Sequence, residues 1–351
     1  MQAAVDAGFE VIALDAFADV DTQKLAKKVI QVEVNHGQFN AQQLLQALNQ
    51  LELSEDNGSL YKGFAYGAGF EAQPELLKQI ALILPVIGNR AEVIQHCKRP
   101  REFFALCEMF NMPYPETVFE KPVNTLGWLQ KNIGASGGEH IKSVLPVKIG
   151  SSTQAYYQKI QPGTPISCLF LANGKDALIL GFNEQWCSST TLSPYRFGGA
   201  VSHAELNEGV KDKFAAFIQS VTQKLRLIGI NSCDCIVHGD EIFVLEINPR
   251  LSASLSLYKA KRGDLFEAHV AACLGKLDNW PVVDQQSRAM QIVYAEQNAK
   301  VPAQMDWPEW VCDIPQANSV ITAGAPMCSV MAEARTAKLA KQKVLERAAS
   351  L

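Results

Sequence analysis

No stretch of this chain stays apolar for the ~20 residues that a bilayer demands. Its opening "MQAAVDAGFEVIALD" lacks the basic, apolar and small-residue order of a secretory signal. The expected setting is therefore the cytoplasm, with no membrane partner. Surplus charge is missing too: 32 Lys and Arg face 36 Asp and Glu, a net −4, which excludes the broad cationic surface that nucleic acid requires. Six histidines lie scattered and no C-x-x-C pair occurs, so no zinc site is expected. Nine cysteines is an odd number; the closest pair, Cys233 and Cys235, flanks an aspartate, and buried free thiols are the expectation. Neither G-x-G-x-x-G nor G-K-[ST] is present, which removes the dinucleotide fingerprint and the Walker loop. No internal repeat or low-complexity segment is visible.

What is present is ordinary globular material. With 351 residues, 48% of them hydrophobic, the chain has enough for two or three domains. The segment "AAVDAGFEVIALDAFADVDTQKLAKKV" reads as the end of a helix, a Gly8 cap, a strand Phe9 to Leu14 ending at Asp15, then a polar turn and a helix. That is half of a Rossmann-like unit. The strand and glycine loop that should precede the first helix are lacking, so a late or truncated start is expected. A polar linker "LSEDNGS", a strand in "LYKGFAYG" and a helix "PELLKQIALIL" with Pro74 in its first turn follow. An amphipathic helix is expected from Lys98 to Met112, closed by "NMPYPET". Thereafter the runs "YYQKIQ", "ISCLFLA", "DALILGF", "NSCDCIV" and "EIFVLEI", separated by turn signals, predict an antiparallel sheet interrupted by one long helix, "ELNEGVKDKFAAFIQSVTQKLRLIG". The tail adds two strand-like runs, a turn region "DIPQANSVITAGAP" and a charged, alanine-rich helix. Trp280, Trp307 and Trp310 are expected in core or interface.

Chemistry concentrates in "EIFVLEINPR". Alternation along a strand sends Glu246 and Asn248 to one face and Leu245 and Ile247 to the other, so two hard oxygen donors project side by side. Pro249 has no N–H for the ladder and ends it, leaving Arg250 at the rim. Asp234 lies twelve residues before Glu246. A two-residue turn at Gly239 and Asp240 would oppose it to Leu245; a three-residue loop with Gly239 in a bulge would oppose it to Glu246. The second register is expected, because carboxylates with Cβ atoms about 4.5–5.5 Å apart suit a shared Mg²⁺. Upstream, "GWLQKNIGASGGEHI" places Lys131 on a strand before a loop of Gly134, Ser136, Gly137 and Gly138, an arrangement in which backbone N–H groups cover a triphosphate. His140 reads as a polar loop residue.

In this order, lysine and glycine loop, the β-rich "YYQKIQPG", then Asp234, Glu246, Asn248 and Arg250, the chain resembles the ATP-grasp superfamily over residues 9–275. The strings "AGFE", "GN", "GASGGEHI", "EINPRLSASL" and "DIP…AGAPMCSV" are similar to the carboligase-like branch related to biotin carboxylase, which includes tyramine–glutamate ligases and relatives found with one-carbon coenzyme pathways in methylotrophs. The resemblance implies an α/β and α+β ATP-grasp fold with an N-terminal Rossmann-like domain lacking its first strand. Expected divisions are 1–96 for that pre-ATP-grasp domain, 97–275 for the ATP-grasp domain with a lid at 113–157, and 276–351 for a C-terminal subdomain.

It further implies ATP with Mg²⁺ or Mn²⁺ as cofactors. Lys131 would hold phosphates, with Lys98 or Arg99 near a second phosphate-binding position. Gln158, Lys159 and Ile160 would line the adenine, although Gln158 stands where a glutamate is frequent. Asp234, Glu246 and Asn248 would bind metal, and Arg250 would stabilise charge on the transferred phosphoryl group. For the substrate, Ser252 and Ser254 would meet a carboxylate or cap the next helix, and Glu71 and Gln185 would face the amine or serve structure. The implied activity is ADP-forming ligation of a small-molecule carboxylate to an amine, in methanofuran-type or tetrahydromethanopterin-type cofactor synthesis, by a chain free to form a homodimer. Its rivals are a bicarbonate-phosphorylating, biotin-carboxylase-like enzyme and a non-catalytic ATP-binding protein.

Overall fold

The computed structural model describes residues 1–35, 37–53, 61–144 and 155–351. Most of the expected polar linker "LSEDNGS" and ten residues of the expected lid lie outside the described residues. In the N-terminal region Gly8, at φ +81°, follows the helix Gln2–Asp6, and the strand Ile12–Asp15 pairs in parallel with Lys28–Gln31. A second parallel pair joins Phe64–Ala65 to Val86–Ile87. Leu44, Leu48, Leu77, Ile80 and Ile94 form the core beneath them.

The expected helix from Lys98 to Met112 is two helices instead, Ala91–Lys98 and Pro100–Met109. Proline bars the residue before it from helical geometry, and Arg99 is accordingly extended at φ −88°, ψ 109°. Pro100 then opens the next helix, where its missing N–H costs nothing. The break makes Lys98 the last residue of a helix packed against the strand Glu241–Asn248, so its side chain points into the protein.

The antiparallel texture yields two sheets. A small one has the order Thr117–Val118, Ala155–Lys159, Trp128–Asn132, Lys142–Ser143. A large one runs Glu241–Asn248, Ile228–His238, Thr164–Asn173, Ala177–Cys187, Phe197–Ser202, Ser287–Tyr294, Pro326–Ala334, Val311–Cys312. The C-terminal strands thus continue the central sheet. Behind it packs the long helix, observed as Glu208–Leu225, started by the Asn207 side chain accepting from the Val210 N–H at 2.8 Å. Phe170, Phe214, Ile218 and Val244 fill the space between.

All nine cysteines are free and six are buried. Trp280, Trp307 and Trp310 each pack partly buried against a core cluster. The "DIPQ" turn clasps the two ends of the chain together: the Val20 N–H donates to the Ile314 carbonyl at 2.8 Å, and the Ile314 N–H to Asp21 Oδ2 at 3.0 Å. No helix among the described residues is long and apolar enough to cross a membrane.

Candidate active site

The hairpin sets the register as expected, by a different device. Gly239 and Asp240 make a two-residue turn with His238 opposite Glu241, which by itself would place Asp234 across from Leu245. A β-bulge at Leu245 then takes up one residue, so Asp234 pairs with Glu246 and Ser232 with Asn248. The three-residue loop is therefore corrected to a two-residue turn plus a bulge. Packing explains the choice. Val244 and Ile247 are both fully buried in the same core cluster although three residues apart, a spacing regular alternation forbids. The pattern Ile242, Val244, Ile247 was the available signal.

Around this pair the charges interlock. Lys98 Nζ donates to Glu246 Oε2 at 2.7 Å and to Asn248 Oδ1 at 2.6 Å. The Asn248 amide donates to Asp234 Oδ2 at 2.9 Å and Glu246 Oε1 at 3.3 Å, and the Gln185 amide lies 3.4 Å from Asp234 Oδ1. The Lys98 side chain is 5% exposed and that of Glu246 36%, so the cluster is roofed by the ammonium and open at the glutamate. Burial, with the Glu246 charge beside it, raises the Asp234 carboxyl above its ordinary pKa. Burial would raise Glu246 as well, but the charge and hydrogen bond of Lys98 outweigh it and hold that carboxyl low. Asp234, Glu246 and Asn248 carry hard oxygens of the kind Mg²⁺ takes; the Asn248 amide holds the two carboxylates together while its oxygen is turned to Lys98. The residues fit a divalent cation.

Lys131 sits in the small sheet opposite Tyr156, with its Nζ donating to Gln158 Oε1 at 2.8 Å; the Gln158 amide donates in turn to Thr117 Oγ1 at 3.1 Å. Gln158 is thus buried, with its side chain held between Lys131 and Thr117. Lys159 is exposed and paired with Glu116, and Ile160 is exposed at the strand's end. Burial pushes the Lys131 ammonium down to about 8, opposed by the charges of Glu246 and Asp234. A neutral amine does not hold phosphate. Affinity for ADP is therefore expected to fall as pH rises through about 8, by up to tenfold per unit, and to stay flat in Lys131→Arg; titration calorimetry from pH 7 to 9.5 measures it.

The glycine-rich loop is seated between two parts of the molecule. Gly134, at φ +75°, abuts the backbone of Glu71 and Ala72; a Cβ there would lie 2.8 Å from Ala72 Cα. Gly138, at φ +79°, leaves no room for a Cβ against the Tyr195 carbonyl oxygen, and the Gly137 carbonyl accepts from the Phe197 N–H at 2.9 Å. Ser136 lies between them, half-buried. Gly138→Ala is expected to unseat the loop: MgADP binding weakens about tenfold and amide exchange across 133–139 quickens, with little change in the melting of the core. Burial lowers the pKa of His140, and the charge of Glu246 opposes that shift, so the imidazole stands within the site's field.

Arg250 is held by Glu71. Its Nε donates to Glu71 Oε1 at 2.8 Å, the side chains being 11% and 3% exposed, while Glu71 Oε2 accepts the N–H groups of Gly69 and Phe70. Burial would raise the Glu71 carboxyl; Arg250 prevails and holds it below its ordinary value. Glu71 therefore faces the guanidinium, and Gln185 faces Asp234. The Ser252 and Ser254 hydroxyls bond each other at 2.7 Å, and Ser252 makes no side-chain cap to the short 3₁₀ helix Ala253–Leu257. Of the two residues near the expected second phosphate-binding position, Lys98 lies against Glu246 and Asn248, and Arg99 is at the surface, paired with Glu102.

The string "GN", Gly88 and Asn89, proves to hold a structural node to which the sequence assigned no role. Asn89 is buried, and its amide donates to Asn231 Oδ1 at 2.7 Å and to the Pro249 carbonyl at 3.0 Å, while the Tyr66 hydroxyl donates to the Asn89 carbonyl at 2.6 Å. This network fixes Pro249 between Asn248 and Arg250. Its only sequence trace is an asparagine after Gly88.

Residues 103–254 match the family model described as ATP-grasp domain. Similar solved structures include biotin carboxylase from Campylobacter jejuni in a β,γ-ATP complex, at 13% identity and TM-score 0.72, covering 98% of this chain and 87% of that one. The biotin carboxylase domain of 2-oxoglutarate carboxylase from Hydrogenobacter thermophilus, a dimer with MgADP and bicarbonate, gives 12% and 0.71 over 98% and 86%. N5-carboxyaminoimidazole ribonucleotide synthetase from Thermotoga maritima gives 14% and 0.67 over 99% and 93%. No curated protein matches the sequence. The chain has the ATP-grasp fold and carries an ATP-grasp domain.

Proposed function

We propose that this protein is an ADP-forming, ATP-grasp carboxylate–amine ligase working through an acyl phosphate. The observation that carries the reading is the convergence of two buried cations, Lys98 and Lys131, and the partly buried Arg250 on a cluster of hard oxygen donors, Asp234, Glu246 and Asn248. Lys98 and Arg250 are paired with Glu246 and Glu71 within the chain, and a metal–triphosphate complex would bring both a divalent cation for the carboxylates and oxygens for the cations.

A carboxylate does not react with amines at neutral pH, so one of its oxygens first attacks the γ-phosphorus of ATP, and the bond to the β-phosphate oxygen breaks to release ADP. The amine nitrogen then adds to the acyl carbon, loses a proton and expels phosphate. Asp234, Glu246 and Asn248 would hold Mg²⁺, which when bound supplies charge neutralisation to the phosphates. Lys131 would hold the phosphates from the small sheet. Arg250, locked by Glu71, would present a fixed guanidinium to the developing charge. The glycine-rich loop, resting on Ala72 and Tyr195, would keep water from the acyl phosphate. Likeness to the tyramine–glutamate ligase branch supports an amino-acid-derived acid and an amine in synthesis of a methanofuran-type or tetrahydromethanopterin-type cofactor.

The test incubates the protein with Mg-ATP and a panel of amino acids, dicarboxylates and amines, following phosphate release and product mass. One acid–amine pair should yield an amide, with one phosphate per product. Phosphate release that depends on bicarbonate, or nucleotide binding with no release across the panel, would contradict the proposal.

A further inference from the structure

Two of the three side chains assigned to the metal already serve a cation of the protein's own. Lys98 Nζ lies 2.6 Å from Asn248 Oδ1, the only oxygen of that carboxamide, and 2.7 Å from Glu246 Oε2. The Asn248 amide nitrogen is turned to Asp234 and Glu246, so the group cannot flip to turn its oxygen toward them without breaking both contacts. A divalent ion that takes the Asn248 and Glu246 oxygens competes with the ammonium for them and repels it at that range. Lys98 is buried, and an ammonium stripped of acceptors there is costly.

We propose, resting on the metal and nucleotide reading above, that Lys98 is an internal counter-ion that makes metal entry conditional on nucleotide. Metal arriving alone must take from Lys98 both of its hydrogen-bond acceptors, leaving the buried ammonium only the longer-range charges of Asp234 and Glu71. Metal arriving with a nucleoside di- or triphosphate brings oxygens to which the ammonium transfers, so the acceptors it loses are replaced as it leaves. The position suits this exchange. Lys98 ends its helix, the chain turns at Arg99 and Pro100 immediately after it, and two of its three donors are engaged at the metal oxygens. Arg250 and Lys131 are placed differently: the Arg250 Nε donates to Glu71 and the Lys131 Nζ to Gln158 in the other sheet. The consequence is positive coupling between the two ligands, with free divalent ion bound weakly and the ion–nucleotide pair bound well.

The experiment titrates the full chain with Mn²⁺ by electron paramagnetic resonance of the free ion, with and without saturating ADP, for wild type, Lys98→Met, Lys98→Gln and Lys98→Arg. Lys98→Met and Lys98→Gln should bind Mn²⁺ without nucleotide on the order of tenfold or more tighter than wild type. ADP should tighten Mn²⁺ binding strongly in wild type and Lys98→Arg and much less in the two uncharged variants. Melting of Lys98→Met should also rise with Mn²⁺ alone, as the ion replaces the lost charge between Asp234 and Glu246. Nucleotide-free affinity equal to or weaker than wild type in both uncharged variants, with folded spectra, would overturn the proposal. Absence of Mn²⁺ binding from every protein, even with ADP, would remove the metal assignment itself and the proposal with it. Glu246→Gln, which should bind no Mn²⁺ in either condition, separates site binding from adventitious ion.

Discussion

Glu246→Ala and Asn248→Ala are each expected to lower Mg-ATP turnover by about a thousandfold or more while the chain stays folded, as read by phosphate release and circular dichroism. The two should differ in stability. Removing Glu246 takes a partner from Lys98, which is 5% exposed, and leaves the ammonium with Asn248 alone. Because the glutamate itself is 36% exposed, the cost should be on the order of 2 kcal/mol, below the 3–5 kcal/mol of a fully buried pair. Asn248→Ala removes the amide that lies between the two carboxylates, which then repel across the hairpin. Its melting temperature should therefore fall, and should respond less to Mg-ADP than that of wild type because one assigned metal oxygen is gone. Turnover within a few-fold of wild type in both variants would exclude the hairpin from the chemistry.

Arg250→Met should lose about 3 kcal/mol of stability and, on the order of a hundredfold or more, turnover. Glu71 is 3% exposed, and with the guanidinium gone its charge keeps only the Gly69 and Phe70 N–H groups. Combining Arg250→Met with Glu71→Gln removes the stranded charge. The double variant should recover much of the lost stability and none of the turnover, a coupling that urea unfolding resolves. Glu71→Gln alone should lower turnover with little effect on ADP affinity, because it loosens the aim of Arg250 without touching Lys98 or Lys131. Additive stability losses would show that the pair is not a unit.

The hairpin was legible because strand alternation is rigid: Glu246 and Asn248 share a face, and Asp234 must reach them if a metal is held. The way it reaches them was not. Turn chemistry at Gly239 and Asp240 speaks for a two-residue turn, and the register is corrected only at Leu245, where the demand of Val244 and Ile247 for the same core outweighs alternation. Lys98 could not be told from Arg99 until the break at Pro100 fixed which residue ends the helix. Glu71 and Gln185 are read from the sequence as facing the amine or serving structure, and local sequence does not decide between the two. Their partners, Arg250 and Asp234, are far away in sequence, and only the tertiary fold brings them together. Gln158 sits where a contact to the nucleotide was expected, yet pairing of its strand with Trp128–Asn132 turns it onto Lys131, a long-range contact that local spacing does not encode.

The account stands on one cation shared by Asp234, Glu246 and Asn248 beside the phosphates of a nucleotide. Anomalous diffraction from a crystal grown with Mn²⁺ and ADP reads this directly. A single strong peak within bonding distance of the Asp234 and Glu246 carboxylates and the Asn248 oxygen, bridging to phosphate, with Lys98 Nζ moved off that oxygen, is the expected result. A nucleotide bound elsewhere, or manganese bound away from this hairpin while Lys98 still bridges Glu246 and Asn248, would contradict it.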